Sequence, residues 1–309
     1  MLECLDHWKE PCDVISMKDF LRQMHDASLV EEVVDMVLRR HYVIEEGWHE
    51  RTNPWSRNAL YYALSGGVPP DVQKKLQQKS ALILGCGGIG NLVGVSLATS
   101  GIGKITLLDF DTIEVSNLTR QFMFTKDDVG KSKAEVLKEE LLKRSHCVKV
   151  ETIDSPISKE LLESLPKPDL IVLSADSVDS LPTVNAFAIE NKVAYINIGY
   201  VQDIAVFGPF VIPGQTGCVY CQDILAGTHP LNQQIKDKIN SINKTHQAPS
   251  NPAVNMLASS LGLMDILKYL GEFGEIQSLN RRIGLWTHSL KLEVQECHKN
   301  PDCDICSHC

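Results

Sequence analysis

The residues with the plainest chemical content are a glycine turn and two pairs of cysteines. Gly85-Cys86-Gly87-Gly88-Ile89-Gly90 follows a continuous apolar run, Ala81 to Leu84, of the kind that a strand buried on both faces requires. Glycines there let the backbone approach a phosphate closely, and a helix expected over Asn91 to Ser100 points its positive end at that anion. A second buried strand runs from Lys104 to Leu108 and ends at Asp109, 24 positions after Gly85, near where a nucleotide-binding βαβ unit places its ribose-binding carboxylate. By itself G-x-G-x-x-G is a weak signal. The cysteines are more telling. Cys218-Val219-Tyr220-Cys221 and Cys303-Asp304-Ile305-Cys306 are two knuckles separated by 81 residues. Four thiolates in two such pairs form a closed tetrahedral zinc site, structural because no position stays open for substrate. The site would staple the C-terminal tail to the segment around Cys218. Cys309 makes a further C-x-x-C with Cys306, which leaves the fourth ligand open at this level.

These groups need a scaffold, and 309 residues suffice for one large α/β domain with a small appendage or for two ordinary domains. Hydrophobic residues are 43% and charged residues 22%, both near globular averages, so neither a disordered nor a fibrous chain is indicated. A formal charge of −9, from 39 acids against 30 bases, gives no global electrostatic reason for nucleic-acid binding. No apolar run approaches the ~20 residues of a membrane span, and MLECLDHWKEPC lacks the basic-then-apolar build of a secretion signal. A cytoplasmic location without membrane attachment is the expectation. Ten cysteines then read as thiols and metal ligands, not as a disulfide framework.

Along the chain, residues 1–50 differ in texture from the rest. Ser28-Leu29-Val30-Glu31 reads as a capping box, and Leu29, Val30, Val33, Val34 and Val37 form an apolar helical face. A short strand is expected over His41 to Ile44, which makes this stretch a small α+β module. A helix is expected from Pro69 to Lys79, entered through proline. Past the second strand come a loop at Phe124 to Val129, a helix over Lys131 to Arg144, a strand over Val148 to Ile153 and a short helix over Lys159 to Leu165. Asp169 to Asp176 is a third buried strand with Asp176 at its carboxyl end, outside which ligands of open parallel sheets bind. Helix from Asn185 to Asn191 and strand from Ala194 to Gly199 follow. Gln202 to Pro213 adds antiparallel β structure. Residues 222–252 are polar for about thirty residues and read as a crossing segment or lid. An apolar helix from Pro252 to Leu270 and one or two strands between Arg282 and Gln295 complete the pattern. The fold class expected is α/β: a Rossmann-like, mostly parallel sheet extended by antiparallel strands, with the small N-terminal module and the structural zinc site.

Asp109-Phe110-Asp111-Thr112-Ile113-Glu114-Val115-Ser116-Asn117-Leu118-Thr119-Arg120-Gln121 is far more specific than the glycine turn. It resembles the D-x-D-x-(V/I)-E-x-S-N-L-x-R-Q signature of the ThiF/MoeB and ubiquitin-activating enzyme superfamily, whose members adenylate carboxyl groups with ATP. Lys133, Asp176, Arg57 and the split C-x-x-C pairs stand in the same order as in that superfamily. The resemblance spans residues 51–309. Within it, the phrases ILGCGGIGN, LATSGIG, SNLTRQ and GYVQDIAVFGP are similar to the branch that modifies ribosomally made peptides.

The resemblance implies an ATP site in which Gly85, Gly87, Gly88 and Gly90 cradle the nucleotide and Asp109 holds the ribose. It also implies that Asp111, Asn117 and Gln121 support the loop and phosphates, that Arg120 and Lys133 contact the triphosphate, and that Asp176 holds Mg²⁺. Arg57 would reach the phosphates from the partner subunit of a homodimer, and residues 1–50 would clamp a precursor peptide. Cys86 reads as a small buried filler. No cysteine occurs between Asp223 and Pro252, where some relatives carry a thioester or persulfide, which argues against ubiquitin-like covalent transfer. Activation of a peptide carboxyl, ending in a peptidyl-nucleotide or in side-chain cyclisation, is therefore the first reading. Activation of a Gly-Gly sulfur-carrier protein is the second. A nicotinamide oxidoreductase would leave SNLTRQ and the cysteine pairs without a role, and a silent peptide scaffold would leave every catalytic position without one.

Overall fold

A computed structural model of the chain describes residues 1–8, 12–40, 42–43, 52–145, 147–177, 179–222 and 250–307. Contacts divide it into two compact units, Met1–Lys74 with Glu272–Gly274, and Lys75–Gly271 with Glu275–Cys309.

In the first unit, helices α1 (Leu2–His7), α2 (Val14–Arg22) and α3 (Ala27–Arg39) surround a core of Cys4, Met17, Leu21, Val30, Val34 and Val37. The apolar face of α3 is the one its spacing predicts, except that Leu29 is half exposed. Its cap differs from the expectation. Asp26, not Ser28, stands at the N-cap and accepts the Ser28 N–H at 2.8 Å, so the helix begins at Ala27, two residues earlier. Tyr42 and Val43, within the stretch read as a strand, form a bend, and the rest of that stretch lies outside the described residues. Helix α4 (Asn58–Leu64) carries Tyr62, whose ring meets Phe273 edge-on at 5.2 Å, and the division between the units falls within α5 (Pro69–Gln78).

The second unit is built on one eight-stranded sheet. Its elements are β1 (Ser80–Leu84), α6 (Gly88–Thr99), β2 (Lys104–Leu108), α7 (Lys133–Arg144), β3 (Lys149–Ile153), α8 (Lys159–Ser164), β4 (Leu170–Leu173), α9 (Ser180–Asn191), β5 (Ala194–Val201), β6 (Ile204–Val211), α10 (Pro252–Gly271), β7 (Arg281–Trp286) and β8 (Leu292–Glu296). The spatial order is β3-β2-β1-β4-β5-β6-β7-β8, parallel through β5 and antiparallel from β5 to β8. Strands β1 and β4 lie in the middle of the parallel part and bury nearly every side chain, which is why they read as unbroken apolar runs. Each fully buried Leu or Ile there stabilises the fold by roughly 1.5–3 kcal/mol. The connections leave β1 toward β2 on one side and return to β4 on the other. The carboxyl ends of β1 and β4 are therefore the switch point at which such sheets bind ligands.

Helix α9 starts at Ser180, five residues before the sequence expectation, because Pro182 falls in its first turn, where the missing N–H would have no helical partner. Within the stretch read as a loop, Lys126–Asp128 forms a single 3₁₀ turn. Of the segment read as a crossing, residues 222–252, the part from 223 to 249 lies outside the described residues. No helix among the described residues is long and apolar enough to cross a membrane.

Replacing Asp26 by Ala is expected to cost about 1 kcal/mol through loss of the α3 cap, while Ser28→Ala changes stability little. Urea denaturation midpoints of the two variants distinguish the caps.

Candidate functional site

The site is assembled from the carboxyl ends of β1, β2 and β4. After β1 the chain turns at Gly85, whose φ of +94° suits glycine, and a Cβ there would lie 2.9 Å from the Ala175 nitrogen beyond β4. Gly90 is constrained by proximity instead. A Cβ on it would sit 1.8 Å from the Gly85 carbonyl oxygen, so the turn closes only around a residue without one. Gly87 is the N-cap of α6 and offers no side-chain cap, and Gly88 opens the helix. Among the described residues the first-turn N–H groups of α6 have no side-chain acceptor at the positive end of the helix, which suits an anion. Ser174, just past β4, closes the other wall by donating to the carbonyls of Leu84 (3.2 Å) and Gly85 (2.9 Å).

Asp109 is 8% exposed and accepts from two backbone amides, Cys86 N–H at 2.5 Å and Asp111 N–H at 2.8 Å. Burial raises its pKa above the ordinary carboxylate value, against the lowering effect of those two donors and of the Lys133 charge. Cys86 is fully buried, as a small filler should be. Lys133 is the first residue of α7 and is nearly buried, unlike most helical lysines. Its N–H donates to the Asp111 carbonyl at 3.0 Å and its Nζ to Asp111 Oδ2 at 2.7 Å. The signature after β2 folds into a 3₁₀ turn, Val115–Thr119, closed by a reciprocal box between Glu114 and Asn117. The Asn117 carbonyl then accepts the N–H groups of Arg120 and Gln121, and Arg120 Nη1 donates to the Ser116 carbonyl at 2.9 Å. Gln121 is buried, with its Nε2 3.9 Å from where a Gly87 Cβ would point and its Oε1 without a partner among the described residues. The glycine turn, Asp109, Asp111, Lys133 and the Asn117–Gln121 turn are thus assembled at one end of the sheet. Asp176 is exposed, two residues beyond Ser174. Arg57 is exposed at the N-cap of α4, in the other unit.

Three residues of this end escaped the sequence reading. Ser174 is one. Asn91 is fully buried and accepts the Met123 N–H at 3.1 Å, and Asn255, near the start of α10, lies against Gly88. A polar residue inside an apolar helix, as in Pro252-Ala253-Val254-Asn255-Met256-Leu257, is the only local sign of the last.

The second chemical centre is the cysteine cluster. The sulfurs of Cys218, Cys221, Cys303 and Cys306 all lie within 4.8 Å of one another and are buried. Cys218 and Cys303 are 3.7 Å apart and Cys221 and Cys306 3.2 Å. Burial pushes the Cys218 thiol well above its usual range and the Cys306 thiol up to about 11, so four thiolates gathered here need a cation to offset the desolvation. The donor set fits a tetrahedral zinc ion. Cys306 belongs to the cluster, while Cys309 lies outside the described residues.

The strand order and the glycine turn at its switch point define a doubly wound nucleotide-binding protein. The ThiF family model matches residues 61–305, and the chain belongs to the ThiF family. Among solved structures it is similar to the microcin C7 biosynthetic enzyme MccB in complex with N-formylated MccA, with 38% identity and a TM-score of 0.87 over 96% of this chain and 86% of that one. It is similar to E. coli MccB with ATP at 39% identity, TM-score 0.84, over 96% and 86%. PaaA shares the fold at 21% identity, TM-score 0.69, over 93% and 87%. Curated relatives include ubiquitin-like modifier-activating enzyme 5 of Drosophila mojavensis, 27% identical over 73% of this chain, and that of Drosophila willistoni, 28% identical over 82%. The chain spans 58% and 63% of the length of these two relatives.

Gly90→Ala is expected to force the turn open and lower the thermal midpoint more than Gly87→Ala, whose added Cβ meets nothing closer than 3.9 Å; differential scanning fluorimetry reads both. Elemental analysis of undisturbed protein is expected to give about one zinc per chain, and stripping it with a chelator, or Cys306→Ser, to lower the thermal midpoint. Less than half an equivalent of zinc overturns this assignment.

Proposed function

We propose that the chain is an ATP-dependent adenylating enzyme that activates a carboxyl group on a ribosomally synthesised precursor peptide, in the biosynthesis of a peptide antibiotic. The observation that carries the reading is the likeness to MccB bound to its peptide MccA, at 38% identity over 96% of this chain. The likeness to MccB with ATP supports the choice of nucleotide.

A carboxylate is a weak nucleophile, and attack on the α-phosphate of ATP brings two anions together and expels pyrophosphate. Most of the task is positioning and charge stabilisation. In this reading the open N-terminus of α6 receives the phosphates, Asp109 accepts from the ribose hydroxyls, and Asn117 and Gln121 brace the turn that presents Arg120. Arg120 contacts the triphosphate with forked hydrogen bonds and Lys133 as a compact charge released from Asp111. Asp176 supplies a hard oxygen for Mg²⁺, which neutralises charge on the phosphates. Arg57 adds a further cation from the partner subunit of a homodimer. Residues 1–50 recognise the peptide, and residues 51–309 form the adenylating domain, with 222–252 as its crossing segment. The zinc site holds structure and takes no part in the chemistry. The protein works in the cytoplasm.

A second reading has its own support in the curated relatives, which are ubiquitin-like modifier-activating enzymes: the carboxyl group would be the C-terminal glycine of a ubiquitin-like or sulfur-carrier protein. Mixing the protein with ATP, Mg²⁺ and peptides encoded beside its gene, and following pyrophosphate and peptide mass, separates the two. A mass gain of a nucleotide, or a loss of water or carbon dioxide, supports the first. Turnover only with a Gly-Gly protein overturns it.

Lys133→Ala and Arg120→Ala are each expected to lower pyrophosphate release on the order of 10²-fold while the thermal midpoint stays within a few degrees. Arg57→Ala is expected to reduce turnover similarly, and unchanged turnover removes Arg57 from the site.

A further inference from the structure

Asn255 is almost fully buried on the face of α10 that meets α6, and Ser259, one turn further on, donates to the Ile89 carbonyl at 3.5 Å. The two amide donors of the Asn255 side chain are both committed: Nδ2 donates to Ser250 Oγ at 3.0 Å and to the Asn251 carbonyl at 2.8 Å. That fixes the orientation of the amide and turns its oxygen toward the start of α6. A Cβ placed on Gly88 would lie 2.4 Å from Asn255 Oδ1 and 2.9 Å from its Cγ, with the Arg120 carbonyl oxygen next at 3.5 Å. The space that Gly88 leaves is therefore filled by Asn255. The same point is where the main chain of Arg120 passes.

We infer that Asn255 is a positioning residue for the nucleotide: it fixes the first residue of α6 and holds it to Ser250 and Asn251, so that the N–H groups of the glycine turn point at the phosphates. This rests on the proposed ATP site. An amide with both donors committed holds a stiffer rotamer than an aliphatic side chain of similar size, and placement of oriented N–H donors is what such a site offers an anion. Removing the amide leaves the turn shaped but loosely held. Filling Gly88 while the amide remains drives the turn out of place.

Binding of ATP with Mg²⁺, measured by isothermal titration calorimetry on the full chain, tests this without knowledge of the peptide. Asn255→Ala is expected to weaken ATP binding roughly tenfold, and Gly88→Ala by more. In the double variant the collision is gone, so the Gly88→Ala penalty should shrink several-fold, as the contact between the two positions requires. Thermal midpoints of all four proteins show that the effect lies in binding and not in folding. Wild-type affinity in Asn255→Ala, or penalties that simply multiply, overturns the inference and leaves the proposed function standing. A wild-type chain that binds no ATP overturns both.

Discussion

One buried carboxylate organises the nucleotide end of the sheet. Asp109 accepts the N–H of Cys86 from the turn after β1 and the N–H of Asp111 from the turn after β2, and so ties the two loops that flank the switch point into one piece. Two good donors offset part of the cost of burying a charge, although burial still leaves its pKa above the ordinary value. The rest follows from that anchor. With Asp111 fixed by its amide, its carboxylate and carbonyl hold Lys133 at both ends of the lysine residue. With the Cys86 amide fixed, the path from Gly85 to Gly90 has one way to close.

The two centres of the chain divide the labour between placement and permanence. At the glycine turn, polar groups have unmet bonding capacity among the described residues: the α6 N-terminus lacks a side-chain cap, and Gln121 Oε1 has no partner. At the cysteine cluster all four sulfurs are buried and lie within 4.8 Å of one another, so together they can fill a tetrahedral coordination shell. An incompletely satisfied site is suited to an exchangeable ligand, and a closed one to a resident ion.

Much of this was readable in advance. Strands β1 and β4 are legible because burial on both faces demands apolar sequence, β2 because its last residues do the same, and Asp109 because it follows β2. The string from Asp109 to Gln121 pointed to the family, and the C-x-x-C pairs at Cys218/Cys221 and Cys303/Cys306 pointed to the cluster. What stayed hidden depended on partners distant in sequence or on rivals close by. Asp26 and Ser28 are both good caps two residues apart, and the glutamate three residues past Ser28 favoured the wrong one. Asn255 is a buried amide in an apolar helix, and nothing local says that Gly88 will be its neighbour. Lys133 was singled out from Lys131 and Lys138 by the resemblance alone, because its burial and its contact with Asp111 are tertiary facts.

The cysteine cluster also has a consequence in time. Cys218 and Cys303 are 85 residues apart in sequence, as are Cys221 and Cys306. At ribosomal rates of about 5–20 residues per second, that separation is on the order of ten seconds of synthesis. Throughout that interval the first knuckle exists with half of its ligands while the parallel strands before it are already complete. A newborn chain must therefore carry two unpaired thiols beside a nearly finished sheet. An ion held by all four thiolates would be captured at full strength only when the last strands have been laid down, which would make its arrival a marker of completed assembly.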